Sequence, residues 1–232
     1  MHKWRGRGIV LGVLSLALIA AACGSSSKKS SSGSTSSTAS GAVKQGGDLT
    51  FSAEQEPDCM DWIGSCAGAA WGVYTVETNT MPRAYDYSDS KGYVPSSLLT
   101  GPATLQTTPQ QVVTYHINPK AVWSDGQPIT SADFQYTWDQ IAHGQNIYDT
   151  TGYAQVASVG TPDPGTAVVT FSSPFANWKS LFGAFYGVFP SHILKGQDRD
   201  TAMKDGYTFS GGPWMMPPGA WVKGQSVKLV PQ

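Results

Sequence analysis

The chain has 232 residues, of which 40% are hydrophobic, 11% aromatic and 13% charged. The charged fraction is about half that of an average soluble protein, which excludes a disordered or coiled-coil chain and predicts a folded one. The 15 Lys and Arg residues nearly balance the 16 Asp and Glu residues, and after residue 22 no basic cluster occurs beyond Lys28 and Lys29, so a nucleic-acid partner is excluded.

The amino terminus predicts an export signal. Lys3, Arg5 and Arg7 precede an uncharged run of 15 residues, 8–22, that ends in three alanines. This pattern is typical of a secretory signal peptide, which we assign to residues 1–22. The run is shorter than the ~18 to 20 apolar residues that span a bilayer.

The residues around Cys23 resemble the processing site of a bacterial lipoprotein. Residues 19–22 stand in the place of the lipobox, with Ala20 where that family prefers leucine. The resemblance implies cleavage before Cys23 and a diacylglycerol on its sulfur. Residues 24–40 contain ten serines, so residues 23–45 are interpreted as a lipid-anchored, Ser-rich linker. The folded part is then expected at the outer face of the cytoplasmic membrane, in the periplasmic space or cell-wall zone.

The cysteine count fits an exported lipoprotein. Three cysteines would leave one odd thiol, and lipidation of Cys23 removes it. Cys59 and Cys66 remain in a compartment where disulfides persist, which predicts a bridge between them. Two unpaired buried thiols are the alternative, since the sequence does not give their Cα separation.

Alternating hydrophobic residues predict two strands in the first half of the folded part. Leu49 and Phe51 alternate within residues 47–53, which predicts a short first strand. Residues 111–117 predict a second strand, with Val113 and its alternate neighbours on one face.

A helix is predicted from Thr130 to Gly144. Thr130 followed three residues later by Asp133 is a capping-box-like start, and Gly144 is a suitable end. Phe134, Trp138 and Ile141 fall at i, i+4 and i+7, the spacing of one buried helix face. The polar residues between them, Asp133 included, are expected in solvent.

The second half of the chain predicts a hairpin and several short elements. Residues 155–159 and 166–171 form the two strands of the hairpin, joined by the Pro/Gly-rich turn 161–165. Residues 177–185 predict a short helix. A further short segment begins at Pro190, and the last elements are a closing strand pair: Trp221-Val222 with residues 226–230.

The segment AVWSDGQPITSADFQYTWDQI, residues 121–141, resembles the signature of extracytoplasmic solute-binding protein family 5. This family comprises the oligopeptide-, dipeptide- and nickel-binding components of ABC importers. The matching positions are Trp123, Ser124, Asp125, Gly126, Pro128, Thr130, Ala132, Asp133 and Phe134. The similarity extends in the expected order over nearly all of residues 46–232.

The resemblance implies an α/β fold, a type II-like first lobe of a periplasmic binding protein with an inserted α+β domain. Residues 46–82 would form the first-lobe segment, 83–190 the inserted domain, and 191–232 the return segment of the first lobe. Family members continue into a second lobe. The fold of this chain is therefore expected to be incomplete and to form at most half of a ligand cleft. The signature lies in the inserted domain, where a role in turn and helix-cap geometry is expected.

The family's ligand contacts imply a set of binding residues in the loop after the first strand. The nearest equivalents here are Ser65, Cys66, Ala67, Gly68 and Trp71. Small residues would let an extended peptide backbone approach main-chain groups, as in strand addition. A disulfide-stapled loop that merely packs is an equal alternative.

Two further residue sets are weaker candidates. An acidic cluster could complement a ligand amine, although an ordinary solvated loop accounts for it better: Glu54, Glu56, Asp58 and Asp61. Three tryptophans are the most exposed candidates for ligand stacking: Trp62, Trp71 and Trp214.

The function implied is a substrate-binding lipoprotein that captures peptides or similar small solutes. Its partners would be an ABC permease with its ATPase and, through the lipid, the membrane. No cofactor or metal is expected, and the chain is not expected to be an enzyme, since no nucleophile motif or zinc spacing occurs. A lipid-anchored hydrolase, with Ser191-His192 as its one adjacent nucleophile–base pair, and a sensor or adhesin on the same fold are the alternatives.

Overall fold

The computed structural model describes residues 46–66, 71–183 and 186–232. Within the unit Thr50–Gln232, helices and strands mix along the chain in an α/β arrangement. The helices are α1 Trp71–Thr80, α2 Ser131–His143, α3 Ser191–Leu194 and α4 Arg199–Met203. The strands are β1 Tyr85–Ser88, β2 Gly92–Pro95, β3 Thr104–Gln106, β4 Val112–His116, β5 Val156–Asp163, β6 Thr166–Phe171, β7 Trp214–Met215, β8 Trp221–Val222, β9 Ser226–Val227 and β10 Val230–Pro231. In the described part of the chain, no helix has the length and apolarity needed to cross a membrane.

The main sheet has four antiparallel strands in the order β3-β4-β6-β5. The strand predicted over residues 111–117 is confirmed as β4. Val113, Tyr115 and Ile117 are buried, and the residues between them are half-buried or exposed. One side of β4 therefore faces the core, as the alternation predicts.

The predicted hairpin is confirmed, with a longer first strand. β5 pairs with β6 and continues through Asp163, so that the turn shortens to Pro164 and Gly165. The Asp163 side chain supports this turn, because its Oδ1 accepts a hydrogen bond from the Gly165 N–H at 2.8 Å.

Helix α2 begins and ends where the capping residues predict. Thr130 is the N-cap and Gly144 the C-cap. The predicted core face is also confirmed, since Phe134 and Ile141 are buried and Trp138 is half-buried. Local signals are sufficient here because both ends of the helix carry their own capping chemistry.

Asp133 corrects the prediction for the polar face of α2. Gln135 and Asp139 are exposed as expected, but Asp133 is only 1% exposed. The carboxylate at this third helical position turns back toward the helix start, which α3 covers. The tertiary contact thus buries a residue that the helical period places in solvent.

The predicted first strand is wrong. Residues 47–53 form no strand, and the side chains of Leu49 and Phe51 are 84% and 60% exposed. Alternation produces a strand only when a neighbour supplies ladder hydrogen bonds. Among the described residues, no strand pairs with this segment.

The helix predicted over residues 177–185 is also wrong. Its described part holds only a single 3₁₀ turn, Trp178–Ser180. Phe182 has a φ of 55°, which a right-handed helix does not allow. Its ring is fully buried and its N–H donates to the Tyr153 hydroxyl at 2.7 Å, so tertiary packing overrides the helical spacing.

The closing strand pair is confirmed in its first half. β8 pairs with β9, but the residues that follow leave this pair, and β10 pairs instead with β7. The short segment predicted at Pro190 is helix α3, which begins one residue later.

One aromatic core joins the three predicted segments of the folded part. Trp62 is fully buried, stacks on Phe189 at a centroid distance of 4.2 Å and meets the edge of Tyr207 at 5.5 Å. These rings come respectively from residues 46–82, 83–190 and 191–232. The division into a first lobe and an inserted domain stays a prediction.

Candidate functional site

The loop that precedes α1 carries a disulfide. Cys59 and Cys66 are bonded, and their Cα atoms lie 5.7 Å apart, within the usual range for such bridges. Cys59 is buried and Ser65 is exposed. Cys66 is half-buried, so the bridge ties a buried residue to a partly exposed one seven positions later.

Freshly isolated protein is expected to resist alkylation at this pair. The chain-entropy model gives about 2 to 3 kcal/mol of stabilisation for a loop of this size. Intact-mass analysis after alkylation, with and without reductant, measures the bridge directly. Two alkylated cysteines without reductant would contradict it, and reduced protein is the control that shows both thiols react.

A second contact fixes the same loop against the segment after α2. Gly64 forms an antiparallel β-bridge with Ile147. The Ser65 N–H donates to the carbonyl oxygen of Asn146 at 2.6 Å. The backbone that would meet an extended ligand is thus already partly paired within the chain.

The five predicted ligand-contact residues have different positions in the structure. Ser65 is exposed, while Cys66 is half-buried in the disulfide. Trp71 is the first residue of α1. Ala67 and Gly68, like the predicted lipidation site Cys23, lie outside the described residues. A binding role for this set stays a prediction.

A buried ion pair lies beneath the disulfide loop. Arg199 Nε donates to Asp61 Oδ2 at 2.8 Å, and both side chains are at most 4% exposed. The guanidinium also donates to three other groups: Gln140 Oε1 at 3.2 Å, the Gln145 carbonyl oxygen at 3.2 Å and Asp200 Oδ1 at 2.6 Å. Arg199 therefore joins the loop, the end of α2 and the start of α4.

Asp61 corrects the predicted acidic cluster. Glu54, Glu56 and Asp58 are exposed, but Asp61 is fully buried. Burial raises the pKa of Asp61 from 3.8 to about 6, against the attraction of Arg199. Gly64 provides the room for this carboxylate, since an added Cβ would lie 2.6 Å from its Oδ2. Asp61 therefore anchors the loop and is not a surface group that could meet a ligand amine.

Glu77 on α1 is a second buried carboxyl group, and no sequence motif singled it out. Its Oε1 accepts a hydrogen bond from the Gly187 N–H at 2.7 Å, while Oε2 has no hydrogen-bond partner. Desolvation raises the pKa of Glu77 from 4.5 to about 8, although Arg83 opposes the shift. This shift favours the protonated, neutral form of Glu77 in the folded protein at neutral pH.

The Glu77→Gln variant is expected to gain stability relative to the unchanged protein as the pH rises from 5 to 8. The raised pKa means that folding takes up a proton in this window. The contribution of Glu77 to the free energy of unfolding is therefore complete below pH 4.5 and is lost as the pH rises through about 8. The slope is at most about 1.4 kcal/mol per pH unit. Urea unfolding at four pH values measures it, and parallel curves for the two proteins would contradict the assignment.

The signature residues meet at the buried carboxylate of Asp133. Its Oδ2 accepts from the Thr130 N–H at 2.9 Å and from Trp123 Nε1 at 3.3 Å. Its Oδ1 accepts from the N–H and the hydroxyl of Ser191 at 2.7 and 2.6 Å. Asp133 thus links the turn, the start of α2 and the start of α3, a structural role.

The turn of the signature is held in the same way. Gly126 has a φ of 84°, which favours glycine. Asp125 Oδ1 accepts from the Gln127 N–H at 3.0 Å, and Asp125 Oδ2 lies 2.8 Å from His192 Nε2. The Gln127 N–H, with a smaller effect of His192, lowers the pKa of Asp125.

These contacts do not support the hydrolase alternative. The hydroxyl of Ser191 donates to Asp133, whereas the ring of His192 is hydrogen-bonded to Asp125. The two neighbours therefore do not form the hydrogen bond that joins a nucleophile to its base. No group of three metal-ligating side chains occurs among the residues that the structure describes.

A cavity of about 330 Å³ lies within the predicted return segment. It is bounded by α3, α4 and the turn before β8, and its lining includes Leu194, Tyr207, Phe209 and Trp221. It contains none of the predicted ligand-contact residues. Of the tryptophans considered for stacking, Trp62 is excluded because it is fully buried, whereas Trp214 is 40% exposed.

Comparison with solved structures gives the class of protein. The chain matches the periplasmic EDTA-binding protein EppA with a TM-score of 0.71 and 29% identity, over 80% of this chain and 36% of that one. The fold is therefore that of the type II-like periplasmic binding proteins, as the sequence resemblance implied.

Sequence comparisons give the family. A family model described as bacterial extracellular solute-binding proteins, family 5 middle, matches residues 102–232. The oligopeptide-binding protein OppA of Mycobacterium bovis is 31% identical over 180 residues, which are 75% of this chain and 30% of that protein. The probable monoacyl phosphatidylinositol tetramannoside-binding protein LpqW of Mycobacterium tuberculosis is 40% identical over 84 residues, 36% of this chain and 13% of that protein.

The chain belongs to family 5 of the bacterial extracellular solute-binding proteins. It spans less than a third of the length of these two curated relatives. The relatives are named as binding proteins and not as enzymes.

Proposed function

We propose that the chain is part of the substrate-binding component of an ABC importer, with peptides as its solute. Membership of family 5 and the similarity to OppA over 75% of the chain carry the proposal. The disulfide and the Asp61–Arg199 pair support it, because they fix the described part of the candidate ligand loop, residues 59–66, to the rest of the fold. A preformed loop binds at a lower conformational cost.

Peptide titrations test this proposal. The chain alone is expected to bind weakly, in the millimolar range, since binding proteins of this class hold ligand between two lobes. A version completed to the full length of its relatives should bind more tightly and be stabilised according to ligand concentration over Kd. Calorimetry and thermal shift with a mixed peptide library measure both. Peptide binding by neither version would overturn the proposal, and ester or glycoside turnover would favour a hydrolase.

A glycolipid is the second candidate solute. The observation that favours it is the 40% identity to LpqW, a protein named for probable binding of an acylated phosphatidylinositol mannoside. The same titrations with phosphatidylinositol mannosides separate the two classes. Binding of the glycolipid without binding of peptides would change the proposed substrate class from peptides to glycolipids.

The lipid anchor is a further part of the proposal. Cys23→Ser should move the protein from the membrane fraction into the soluble fraction, since the acyl chains would be lost. Fractionation of cells and incorporation of labelled palmitate measure this. Ser25→Ala, a substitution in the linker, is the matched control. Membrane association that survives the Cys23 substitution would contradict the anchor.

A further inference from the structure

The cavity of about 330 Å³ in the predicted return segment has two aromatic rings that are fixed from outside it. Tyr207 and Phe209 line the cavity, are at most 8% exposed and stack on each other with ring centroids 4.9 Å apart. The Tyr207 hydroxyl is hydrogen-bonded to the Thr80 hydroxyl at 2.7 Å, and the Phe209 ring makes a T-shaped contact with Trp123. A ligand would therefore not have to order these rings.

Trp221, the first residue of β8, is the third aromatic side chain of the lining and is half-buried. Its Nε1–H donates to Glu56 Oε1 at 3.1 Å, and the same oxygen accepts from the Gly224 N–H at 2.7 Å. The Lys223 ammonium lies 4.7 Å from the centre of the Trp221 ring. Glu56 thus fixes the Trp221 ring together with the turn between β8 and β9.

The charges beside the cavity compensate each other. Asp205 is the one charged side chain among the described residues that line it, and this side chain is exposed. Its Oδ1 accepts a hydrogen bond from Lys223 Nζ at 2.6 Å. A charged ligand would find no unpaired counter-ion here, and a desolvated charge without a partner is costly, so the cavity favours a neutral group.

The size and the lining of the cavity suit a flat ring. Leu194 and Met216 add apolar surface and are each 2% exposed. Methionine side chains adapt to irregular space and make favourable contacts with aromatic rings. Cavities of about 300 Å³ and more are typical of small-molecule sites. Aromatic side chains attract another ring beyond the effect of apolar area alone, so this lining selects an aromatic ligand over a saturated one.

We propose that the cavity is a binding site for a neutral aromatic molecule of one or two fused rings. Among the described residues, none of the predicted ligand-contact residues lines it, so the inference does not depend on the peptide solute proposed above. The ring comes either from a free small molecule or from an aromatic side chain of a peptide, two sources with the same chemistry.

Two alcohols test the preference for an aromatic ring. 2-Naphthol and decahydro-2-naphthol have the same carbon skeleton and the same hydroxyl group, but only the first is aromatic. ¹⁵N NMR titration of the full chain follows the backbone N–H signals of Gly206 and Gly219, which both line the cavity. 2-Naphthol is expected to bind with a Kd of about 0.1 to 1 mM, and about three- to tenfold more tightly than the saturated alcohol.

Ala202→Leu tests whether binding occurs inside the cavity. Ala202 lies on α4, is half-buried and lines the cavity, so a leucine there would occupy the space that the ring needs. The Kd for 2-naphthol should rise about tenfold or more. Ala142→Leu is the matched control, because Ala142 is a half-buried alanine on α2 that does not line the cavity. Thermal unfolding checks that both variants keep the fold.

Trp221→Leu tests the role of the aromatic side chain without filling the cavity. It keeps an apolar side chain and removes a ring, so the affinity for 2-naphthol should fall about three- to tenfold. The affinity for decahydro-2-naphthol should change less than about twofold, since that ligand makes no contact between aromatic rings. This comparison between two ligands on one variant also holds if Ala202→Leu fails to fold.

N-acetyltryptophanamide separates the two sources of the ring. Binding within about threefold of 2-naphthol supports a ring carried by a peptide, and much weaker binding supports a free small molecule. The inference is overturned if 2-naphthol gives no shift at Gly206 and Gly219, or if the two alcohols bind equally. It is also overturned if a folded Ala202→Leu variant binds 2-naphthol as Ala142→Leu does.

Discussion

Replacing Arg199 with methionine is expected to lower the free energy of unfolding by about 3 to 5 kcal/mol, the cost of breaking a buried ion pair. The variant leaves Asp61, which is fully buried, without its cationic partner. It also removes the donors to Gln140, to the Gln145 carbonyl oxygen and to Asp200. Urea unfolding of the variant and the unchanged protein at pH 7 measures the difference.

Arg83, whose side chain is 20% exposed, provides the matched control. Arg83→Met breaks the pair with Asp86, whose side chain is 51% exposed, and should cost about 1 kcal/mol or less. The double variant Asp61→Leu with Arg199→Met removes both charges and should recover part of the loss. If Arg199→Met costs no more than Arg83→Met, the buried pair does not anchor the loop.

Asp133→Asn should destabilise the protein by about 2 to 4 kcal/mol, although the two side chains have nearly the same shape. Each carboxylate oxygen of Asp133 accepts two hydrogen bonds, from Trp123 and Thr130 on one side and from Ser191 on the other. An amide must turn its NH₂ group toward one of these pairs. At least one buried N–H then loses its acceptor, which carries the desolvation penalty.

Asp139→Ala on the exposed face of the same helix is the control for Asp133. Asp139 is 57% exposed and contacts His143, so its loss should change stability by about 0.5 kcal/mol or less. Denaturant unfolding and hydrogen exchange at Ser191 report the two effects. An Asp133→Asn variant as stable as Asp139→Ala would contradict the role of Asp133 in joining α2 to α3.

Elements with complete local signals could be predicted from the sequence. Helix α2 has its N-cap, its core face and its terminal glycine within 15 residues, and both of its ends are confirmed. β4 and the β5–β6 hairpin were predicted from alternation and from a Pro/Gly turn. The first strand failed because a strand needs a partner, and residues 47–53 have none among the described residues.

The candidate site could be predicted only in part. The sequence marked the disulfide loop through its two cysteines, but no motif pointed to Glu77. The motif did mark Asp133, yet the helical period placed it in solvent. Its burial depends on Ser191, 58 residues later.

The sequence by itself determined the family, helix α2, strand β4 and the β5–β6 hairpin, because the signature, the caps and the alternation act between residues that are close in the chain. The tertiary structure decided which polar groups are buried. Arg199 meets Asp61 across 138 residues, and Glu77 meets Gly187 across 110. Such pairings arise when distant segments pack together, and no spacing along the chain encodes which donor will reach a buried carboxylate.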